Sequence, residues 1–318
     1  MNERIVELLK KKDGYVSGDA IAQRLGVSRQ ALWKHIQELK ELGYDIVAVP
    51  HLGYRLEGSP DRLFPFEVTR ELNTKFVGRE IHYYDALPST MDVAMELGFK
   101  GASEGTAVLA ETQTKGKGRL GRIWFSPKYK GIYLSLILRP KFEPQNSPLL
   151  TLLSAVSISE AIKGHLGIDA QIKWPNDILI HHKKVAGILT ELKAETDEVN
   201  FVIIGIGINV NNEKKSLISG SISLKEAKGE TISRPALLQE VFCRIEANYQ
   251  ELIHKGPKYI IDKWREHSIT LGRRVKVYSH RHHIEGEAVN IDSDGALLVR
   301  SDSGITQKVM AGDVIHSR

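Results

Sequence analysis

The sequence predicts an α+β protein of several domains, and both its length and its residue patterns support this. The chain has 318 residues, whereas a single hydrophobic core stops growing at roughly 250–300 residues. In the first sixty residues, apolar side chains recur mostly at helical spacing. From about residue 63 the pattern predicts alternating strands and helices, and after Leu271 it predicts only short strands. We therefore predict three domains, covering residues 1–62, 63–270 and 271–318.

The first domain has the pattern of a winged helix-turn-helix. Ser17 and Ser28 are suited to cap its second and third helices, and Gly26 is suited to end the second. Two helices separated by so short a turn form a helix-turn-helix. Two strands with a turn near Gly53 follow, and they predict the wing. Residues 57–61 lack an apolar period and contain both glycine and proline, so we predict the linker there.

The rest of the chain predicts a mixed α/β domain followed by a small β-barrel. In the central region, strand-like runs alternate with helical patterns; these runs lie at residues 80–84, 106–110, 132–136, 178–180 and 201–204. Beyond Leu271, short strands are separated by turns at residues 294–295 (Asp-Gly) and 303–304 (Ser-Gly). This last pattern predicts a small all-β barrel of the SH3-like kind.

Composition favours a cytoplasmic protein without an internal disulfide. No run approaches the ~18 consecutive apolar residues of a membrane span, and the first residues lack the apolar core of a signal peptide. The single cysteine, Cys243, lies in a helical pattern, so we expect a small core residue rather than a nucleophile. The net charge of +5 is too small to identify a partner by itself.

A basic, glycine-rich loop at residues 113–122 is the strongest local signal for chemistry. It fits the pattern G-x-G-x-x-G, but that dinucleotide fingerprint must open a helix, and residues 123–127 (Ile-Trp-Phe-Ser-Pro) cannot start one. What remains is a loop whose glycines let the backbone approach a ligand and whose Lys117, Arg119 and Arg122 can neutralise phosphate. A solvated basic turn is the alternative interpretation.

Two strands and one helix start indicate where a ligand lies. Gly187 interrupts an apolar strand that begins near Lys184, and residues 205–209 (Gly-Ile-Gly-Ile-Asn) repeat this feature. Because a glycine weakens a strand unless something approaches its backbone closely, we expect a ligand pressed against the sheet. Residues 89–92 (Ser-Thr-Met-Asp) predict a capping box, and hydroxyls and amides at a helix start can also bind polar ligand groups.

Four segments in this order resemble the motifs of the biotin–protein ligases. They are residues 116–122 (Gly-Lys-Gly-Arg-Leu-Gly-Arg), 173–177 (Lys-Trp-Pro-Asn-Asp), 184–189 (Lys-Val-Ala-Gly-Ile-Leu) and 205–209. The resemblance covers nearly the whole chain, and the DNA-binding unit makes it closest to the two-role bacterial form that is both ligase and biotin-operon repressor. It implies a reaction of biotin with ATP and Mg²⁺, followed by transfer of biotin to a lysine of a biotin carboxyl carrier protein or domain.

The same resemblance implies the site residues and the other partners. Those at biotin are Ser89, Thr90, Met91, Gln113, Gly116, Lys117, Gly118, Arg119, Lys184, Gly187, Gly205 and Gly207. Those at ATP are Arg122, Trp124, Lys173, Asn176 and Asn209, with Asn209 near the phosphates or Mg²⁺ and residues 212–216 over the adenine. The implied catalytic residues are Lys184, Arg119 and Lys117. The implied partners are operator DNA and a second copy of the chain, in a homodimer that ligand promotes, with no membrane.

Two positions depart from the family's pattern. Met91 stands where relatives often have asparagine, and Lys117 stands where arginine is commoner. Lysine lacks the bidentate fork of arginine, so we expect weaker retention of the adenylate without a change in the class of reaction.

The DNA-contacting residues follow from the geometry of a helix-turn-helix. Ser28, Arg29, Gln30 and Lys34 are the candidates, all at or near the start of the third helix. Arg29 and Gln30 lie in its first turn, where such helices reach base edges, while Lys34 is better placed for a phosphate.

Three other functions stay open at this stage. A DNA-binding regulator that senses biotin without catalysis would share the fold, but the intact basic loop and Lys184 argue against it. A lipoate-attaching enzyme of similar fold is the second alternative, and the DNA-binding unit and residues 173–177 argue against it. A metal enzyme could use residues 181–182 (His-His) or 280–283 (His-Arg-His-His), but no acid or cysteine completes a familiar ligand spacing, so we predict no metal site.

Overall fold

The structure is a computed structural model that describes residues 1–195, 198–278 and 283–316. The chain divides into two compact units, Met1–Arg62 and Leu63–Arg318. The strands that follow residue 270 belong to the second unit, together with the central region. The three domain ranges derived from the sequence stay predictions.

The first unit is a three-helix bundle with a β-hairpin, as the sequence predicts. Its elements are α1 (Asn2–Lys10), α2 (Gly18–Leu25), α3 (Arg29–Glu41), β1 (Asp45–Val49) and β2 (Gly53–Gly58). Gly26 ends α2 in the left-handed conformation with φ of 67°, and the hydroxyl of Ser28 accepts a hydrogen bond from the Ala31 amide at 3.1 Å. Both residues therefore have their predicted capping roles.

Two local expectations in this unit are wrong. Ser17 occupies the N-cap position of α2, but its side chain makes no capping hydrogen bond. The predicted linker at residues 57–61 begins too early, because β2 continues through Gly58, with Gly58 paired to Asp45. Pairing across the hairpin thus extends the strand into a segment whose composition predicts the end of regular structure.

The second unit is built on a seven-stranded sheet of order β3-β4-β5-β9-β8-β7-β6. Its strands are β3 (Ile81–Tyr84), β4 (Ala107–Ala110), β5 (Gly131–Leu138), β6 (Gln171–Lys173), β7 (Asp177–Ile180), β8 (Lys183–Glu195) and β9 (Glu198–Asn209). The pair β3 and β4 is parallel, and the other neighbours are antiparallel. The two segments expected near residues 201–204 and 205–209 form one continuous strand, β9.

Helices cover the two faces of this sheet unequally. They are α4 (Pro65–Thr69), α5 (Thr90–Phe99), α6 (Pro148–Leu166), α7 (Leu224–Lys228), α8 (Arg234–Lys255) and α9 (Pro257–His267). The larger core lies between the sheet and α6, α8 and α9, and a smaller core lies between the opposite face and α5. Because alternate strand residues face opposite sides, Gly205 and Gly207 lie on the face of α5, with Gly205 against Met91 at the start of that helix.

The helix at residues 144–166 is the one helix in the described ranges that is long and apolar enough to cross a membrane. The share of its apolar window that is buried inside the protein is 72%. That burial is accounted for by α6, which packs in the larger core.

The last part of the chain forms a five-stranded antiparallel sheet, so the all-β character predicted for this region is confirmed. Its strands are β10 (Arg274–Tyr278), β11 (His283–Ile291), β12 (Leu297–Arg300), β13 (Thr306–Val309) and β14 (Asp313–His316), in the order β13-β12-β11-β10-β14. Gly295 and Gly304 take positive φ angles in its turns. The Trp174 indole donates a hydrogen bond to the Gly295 carbonyl at 3.1 Å, which joins this sheet to the turn between β6 and β7.

Candidate functional site

A cavity of about 320 Å³ opens on the sheet face that α5 leaves uncovered. Its floor is formed by glycines and aliphatic residues of β8 and β9, and its walls come from the start of α5, the basic loop and residues 218–221. The turn between β6 and β7 closes one side, and Asp313 at the start of β14 reaches the rim. Six separate parts of the second unit therefore meet at one site.

One end of the cavity holds a connected set of neutral hydrogen-bonding groups. The Gln113 side-chain oxygen accepts from the Thr90 amide at 2.8 Å and from the Thr90 hydroxyl at 3.1 Å. The fully buried Ser135 hydroxyl donates to Thr90 Oγ1 at 2.8 Å, and Gln113 Nε2 donates to Ser126 Oγ at 3.1 Å. These bonds fix the orientation of Gln113 and Thr90, so this end is preorganised for a neutral polar ligand group.

The opposite end is cationic. Arg119 donates from Nη1 to Asn176 Oδ1 at 3.0 Å and from Nη2 to the Gly312 carbonyl at 3.1 Å, and Arg122 forms an ion pair with Asp313. Burial lowers the pKa of the Arg119 guanidinium from its usual value, the largest of several influences on it. The basic loop is thus anchored to the C-terminal sheet rather than free in solvent.

Lys184 reaches this cationic end because of a bulge in β8. Strict alternation would place Lys184 and Gly187 on opposite faces of the strand. Leu179 pairs with Lys184 but Ile178 pairs with Ala186, so Val185 is an extra residue in β8. The bulge re-aims Lys184 into the cavity, where its ammonium lies 2.6 Å from Asp177 Oδ1.

The glycines of the cavity floor are required by protein side chains, whereas the sequence predicted that a ligand requires them. A Cβ at Gly207 would lie 2.3 Å from Cε2 of Trp124, and a Cβ at Gly187 would lie 2.9 Å from Cζ3 of the same ring. A Cβ at Gly205 would lie 2.6 Å from the Met91 sulfur. The close approach that the sequence indicated is therefore made by protein side chains, chiefly the Trp124 indole, whose Nε1 is buried and has no hydrogen-bond partner among the described residues.

The capping box predicted at the start of α5 forms only in part. Ser89 Oγ accepts from the Met91 amide at 3.3 Å, as a capping residue should. Asp92 does not complete the box, because its carboxylate is ion-paired with Lys117 in the basic loop. The hydrogen bond between Lys117 and the Asp92 carboxylate raises the pKa of the Lys117 ammonium above its usual value.

Most of the site residues implied by the resemblance lie together. Those that line the cavity are Thr90, Met91, Gln113, Lys117, Gly118, Arg119, Arg122, Trp124, Asn176, Lys184, Gly187, Gly205 and Gly207. Lys173 lines an adjoining cavity that shares Arg119 and Asn176.

Three other implied residues line neither cavity. Ser89 is fully buried behind it, and Gly116 packs against Trp124, where a Cβ would lie 2.5 Å from the Trp124 carbonyl oxygen. Asn209 is buried at the end of β9, opposite Gly131. The segment predicted to cover the adenine, residues 212–216, also lies outside the lining; residues 218–221, just after it, are part of it.

Sequence reasoning missed four residues of the site. Ser126 and Ser135 orient Gln113 and Thr90, while Asp177 and Asp313 pair with the cations. Asp177 stands inside one of the quoted segments, residues 173–177, so its position in the sequence offered a signal. Ser126, Ser135 and Asp313 offered none, because their roles depend on contacts with distant parts of the chain.

The candidate DNA-contacting residues lie at the start of α3. Ser28 caps the helix, and Arg29, Gln30 and Lys34 are exposed. Trp33, which sequence reasoning did not select, is also exposed, with 57% of its surface accessible. These side chains form an outward face of α3 opposite its buried residues.

No group of three or more histidine, cysteine or acidic residues suited to a metal occurs in the described ranges. His181 and His182 form the turn between β7 and β8, both with positive φ. His280, Arg281 and His282 lie outside the described residues, and His283 begins β11.

Comparisons with known proteins agree with this arrangement. Residues 83–209 match the biotin/lipoate A/B protein ligase family, residues 2–55 match an HTH domain, and residues 270–317 match the biotin protein ligase C terminal domain. The bifunctional ligase/repressor BirA of Bacillus subtilis is 40% identical, with 99% of this chain and 98% of that protein covered. The protein of the same name from Escherichia coli is 31% identical, with 98% and 95% covered.

A solved structure shows the same likeness in three dimensions. The biotin protein ligase from Aquifex aeolicus in complex with biotin and ATP is 30% identical, with a TM-score of 0.65. The match covers 76% of this chain and 99% of the Aquifex chain.

Proposed function

Because this chain belongs to the family of bifunctional biotin–protein ligases and repressors, we propose that the cavity on β8 and β9 binds biotin at its neutral end and ATP at its cationic end. The protein is an ATP-dependent biotin–protein ligase and a DNA-binding transcriptional repressor. The observation that carries the proposal for the site is the pairing, in one cavity, of the Thr90 and Gln113 hydrogen-bond network with Arg119 and Lys184.

The neutral end suits the ring system of biotin. A ureido group offers both N–H donors and a carbonyl acceptor, and the Thr90 and Gln113 side chains offer both kinds of partner. Their mutual hydrogen bonds, together with those from Ser126 and Ser135, hold them in place before ligand arrives. A preorganised site loses less entropy when it binds.

The cationic end suits the first chemical step. An oxygen of the biotin carboxylate attacks the α-phosphorus of ATP, the bond to the β-phosphate oxygen breaks, and pyrophosphate leaves. Two anions must approach each other, so neutralising and positioning them lowers the barrier most. Lys184 and Arg119 line the same cavity and are the residues we assign to this role, together with Lys117 of the basic loop.

Two of these cations are paired with carboxylates of the protein itself. Lys184 is held by Asp177 and Lys117 by Asp92. Binding of the reacting groups therefore exchanges a protein carboxylate for a ligand carboxylate or phosphate at each cation. Until the ligand arrives, the protein carboxylate keeps each cation charged and oriented. Because the ligand then takes the place of that carboxylate, no unpaired charge is buried.

The second step needs no protein nucleophile. The amine of the acceptor lysine attacks the carbonyl carbon of the mixed anhydride, AMP leaves, and the amine loses a proton. Cys243 takes no part, because it lies on α8 and burial raises the pKa of its thiol, which disfavours the nucleophilic thiolate.

Mg²⁺ fits the donor atoms of this end of the cavity. It takes oxygen ligands and usually binds through substrate phosphates and one or two carboxylates. Asp177, Asp313 and the side-chain oxygen of Asn176 line the cavity beside the cations. When bound with ATP, the ion would add to the neutralisation of phosphate charge.

The protein acts on a biotin carboxyl carrier protein or domain, and its helix-turn-helix binds DNA. We further propose that it binds operator DNA as a homodimer that biotin and ATP promote, since two linked half-sites gain from effective concentration. A repressor has to reach DNA, so a cytoplasmic location without a membrane partner is part of the proposal.

No observation favours the sensor without catalysis or the lipoate-attaching enzyme. The relatives that match almost the whole chain are named ligase/repressor, and the catalytic candidates Lys184 and Arg119 line the cavity, which argues against a sensor without catalysis. The central family model includes lipoate ligases, but the HTH and biotin protein ligase C-terminal matches flank it.

The test is exchange of labelled pyrophosphate into ATP, with biotin and lipoate compared side by side. We expect exchange that requires biotin and Mg²⁺. Equal exchange with lipoate would overturn the substrate assignment. Absence of exchange with biotin, in protein that still binds biotin by calorimetry, would overturn the catalytic role.

A further inference from the structure

Asp19, at the start of α2, makes a two-point contact with Arg29, at the start of α3. Its two carboxylate oxygens accept hydrogen bonds from Nε and Nη2 of the Arg29 guanidinium. Both side chains are exposed, with 77% of Arg29 and 60% of Asp19 accessible. An exposed ion pair contributes little to folding stability, so stability does not explain why the contact is bidentate.

The contact fixes the direction in which Arg29 points. Arginine has five N–H donors in a rigid planar fork. Asp19 uses one at Nε and one at Nη2, which leaves both donors of Nη1 and one of Nη2 at the far edge of the plane. A long, flexible side chain thereby becomes an oriented pair of donors.

The remaining donors of Arg29 form an adjacent pair, which matches the two adjacent acceptors of a guanine. Guanine presents two acceptors, O6 and N7, side by side in the major groove, and a bidentate arginine is their usual partner. Thymine and cytosine do not offer two adjacent acceptors there, and adenine offers one acceptor beside a donor. An arginine held at its Nε edge thus discriminates for guanine.

The surroundings of Arg29 are those of a groove-reading surface. Gln30, Trp33 and Lys34 are exposed on the same helix, and Arg29 and Asp19 line a concavity that the hairpin residues His51 and Gly53 complete. All of these groups belong to the first unit.

We propose that Asp19 is a specificity-determining residue, which orients Arg29 to read a guanine in each operator half-site. The inference rests on the proposed operator binding and goes beyond it, because it names a base and a residue that contacts no DNA. Asp19 is a positioning residue, since its carboxylate would be repelled by the phosphates. Its loss should therefore reduce discrimination while leaving total DNA affinity equal or higher.

The experiment uses the full chain with biotin, ATP and Mg²⁺ and a library of duplexes with randomised sequence. Wild type, Asp19→Asn and Arg29→Lys are each put through selection. Glu41→Gln is the matched control, because it also removes one exposed carboxylate from the unit but lies at the other end of α3, about 18 Å away at 1.5 Å per residue.

Wild type and Glu41→Gln are expected to select a guanine at one position of each half-site. Asp19→Asn should lose that preference by roughly 5- to 100-fold, the range for one bidentate base contact, while its binding to random duplex stays equal or rises. Arg29→Lys should lose the same preference. Circular dichroism melts of the variants should match wild type.

A duplex in which 7-deazaguanine replaces the selected guanine supplies a second measurement. It lacks N7, so wild type should bind it more weakly, whereas Asp19→Asn should lose little further. An unchanged guanine preference in Asp19→Asn, or equal losses on the deaza duplex in both proteins, would overturn the role of Asp19. A wild-type chain that selects no sequence at all would instead overturn the proposed operator binding, and this inference with it.

Discussion

The ammonium of Lys184 lies 2.6 Å from Oδ1 of Asp177, across the paired strands β8 and β7. The same ammonium lies 5.4 Å from the centre of the Trp124 ring. Lys184 is thus held between a carboxylate and an aromatic face at the cationic end of the cavity. Lys183, its neighbour in β8, does not line the cavity, which makes it a natural control.

We expect Lys184→Ala to slow adenylate formation about 10²–10³-fold, because loss of a preorganised donor to developing charge typically costs that much. Lys183→Ala should stay near wild type. The thermal midpoints of both should change little, since both side chains are at least partly exposed. Single-turnover adenylate formation and melts on both variants test this, and a slower Lys183→Ala enzyme or an unfolded Lys184→Ala would refute the assignment.

Gly207→Ala should impair biotin binding through Trp124. The new methyl would lie 2.3 Å from Cε2 of that indole, so the ring has to move toward the cavity. Overpacking of this kind costs about 1–3 kcal/mol, so we expect a biotin dissociation constant raised by about tenfold or more, measured by calorimetry. Gly164→Ala in α6 is the control, because its nearest neighbour would be at 3.5 Å. If the two variants bind biotin equally well, Trp124 does not shape the cavity.

Arg234→Met should destabilise the second unit strongly. Arg234 and Glu111 form an ion pair in which both side chains are fully buried, with Nη1 and Oε2 2.7 Å apart. Removing the cation from a buried pair typically costs about 3–5 kcal/mol. Arg244→Met, which breaks an exposed pair with Glu240 on the same helix, should cost about 0.5 kcal/mol or less. Urea unfolding followed by near-UV circular dichroism compares them, and similar losses would contradict the argument.

Acid should weaken the C-terminal sheet through His316. Burial, followed by the nearby positive charges of Lys173 and Arg273, lowers the pKa of His316 from 6.5 to about 4. The folded protein therefore resists a proton that the unfolded chain accepts, so the stability from neutral His316 is complete above pH 6.5 and is lost as the pH falls toward 4.

The measurement for this effect is the thermal midpoint as a function of pH. Between pH 6.5 and 4 we expect the midpoint to fall less in His316→Gln than in wild type. His165→Gln, which changes an exposed histidine near the end of α6, should behave as wild type does. A His316→Gln profile that superimposes on the wild-type profile would show that His316 does not set the acid sensitivity.

Local order could be predicted wherever neighbouring residues decide it. Gly26 and Ser28 act within one helical turn, so the helix-turn-helix follows from the residues around them. The basic loop at residues 113–122 and the glycines of β9 were found for the same reason, because composition and period-two spacing are properties of short segments. The order of helical, mixed and all-β regions is confirmed as well.

The contacts that complete the cavity could not be predicted in this way. The bulge at Val185 depends on how β7 and β8 pair, and without it Lys184 would face the other side of the sheet. Trp124 over the floor glycines, and Asp92 with Lys117 in place of a capping box, depend on where the basic loop packs. In each case a contact with a residue distant in the sequence changes the arrangement that the local pattern predicts.

The sequence by itself indicated a loop suited to phosphate, because the cations and glycines of residues 116–122 lie in one short segment. The class of reaction followed from the resemblance of this segment and three others to the biotin–protein ligase motifs. Only the tertiary structure decided which groups hold those cations. Arg122 pairs with Asp313 across 191 positions of the chain, and Lys117 pairs with Asp92 of α5. Such pairs form when packing brings distant side chains together, and no local pattern records them.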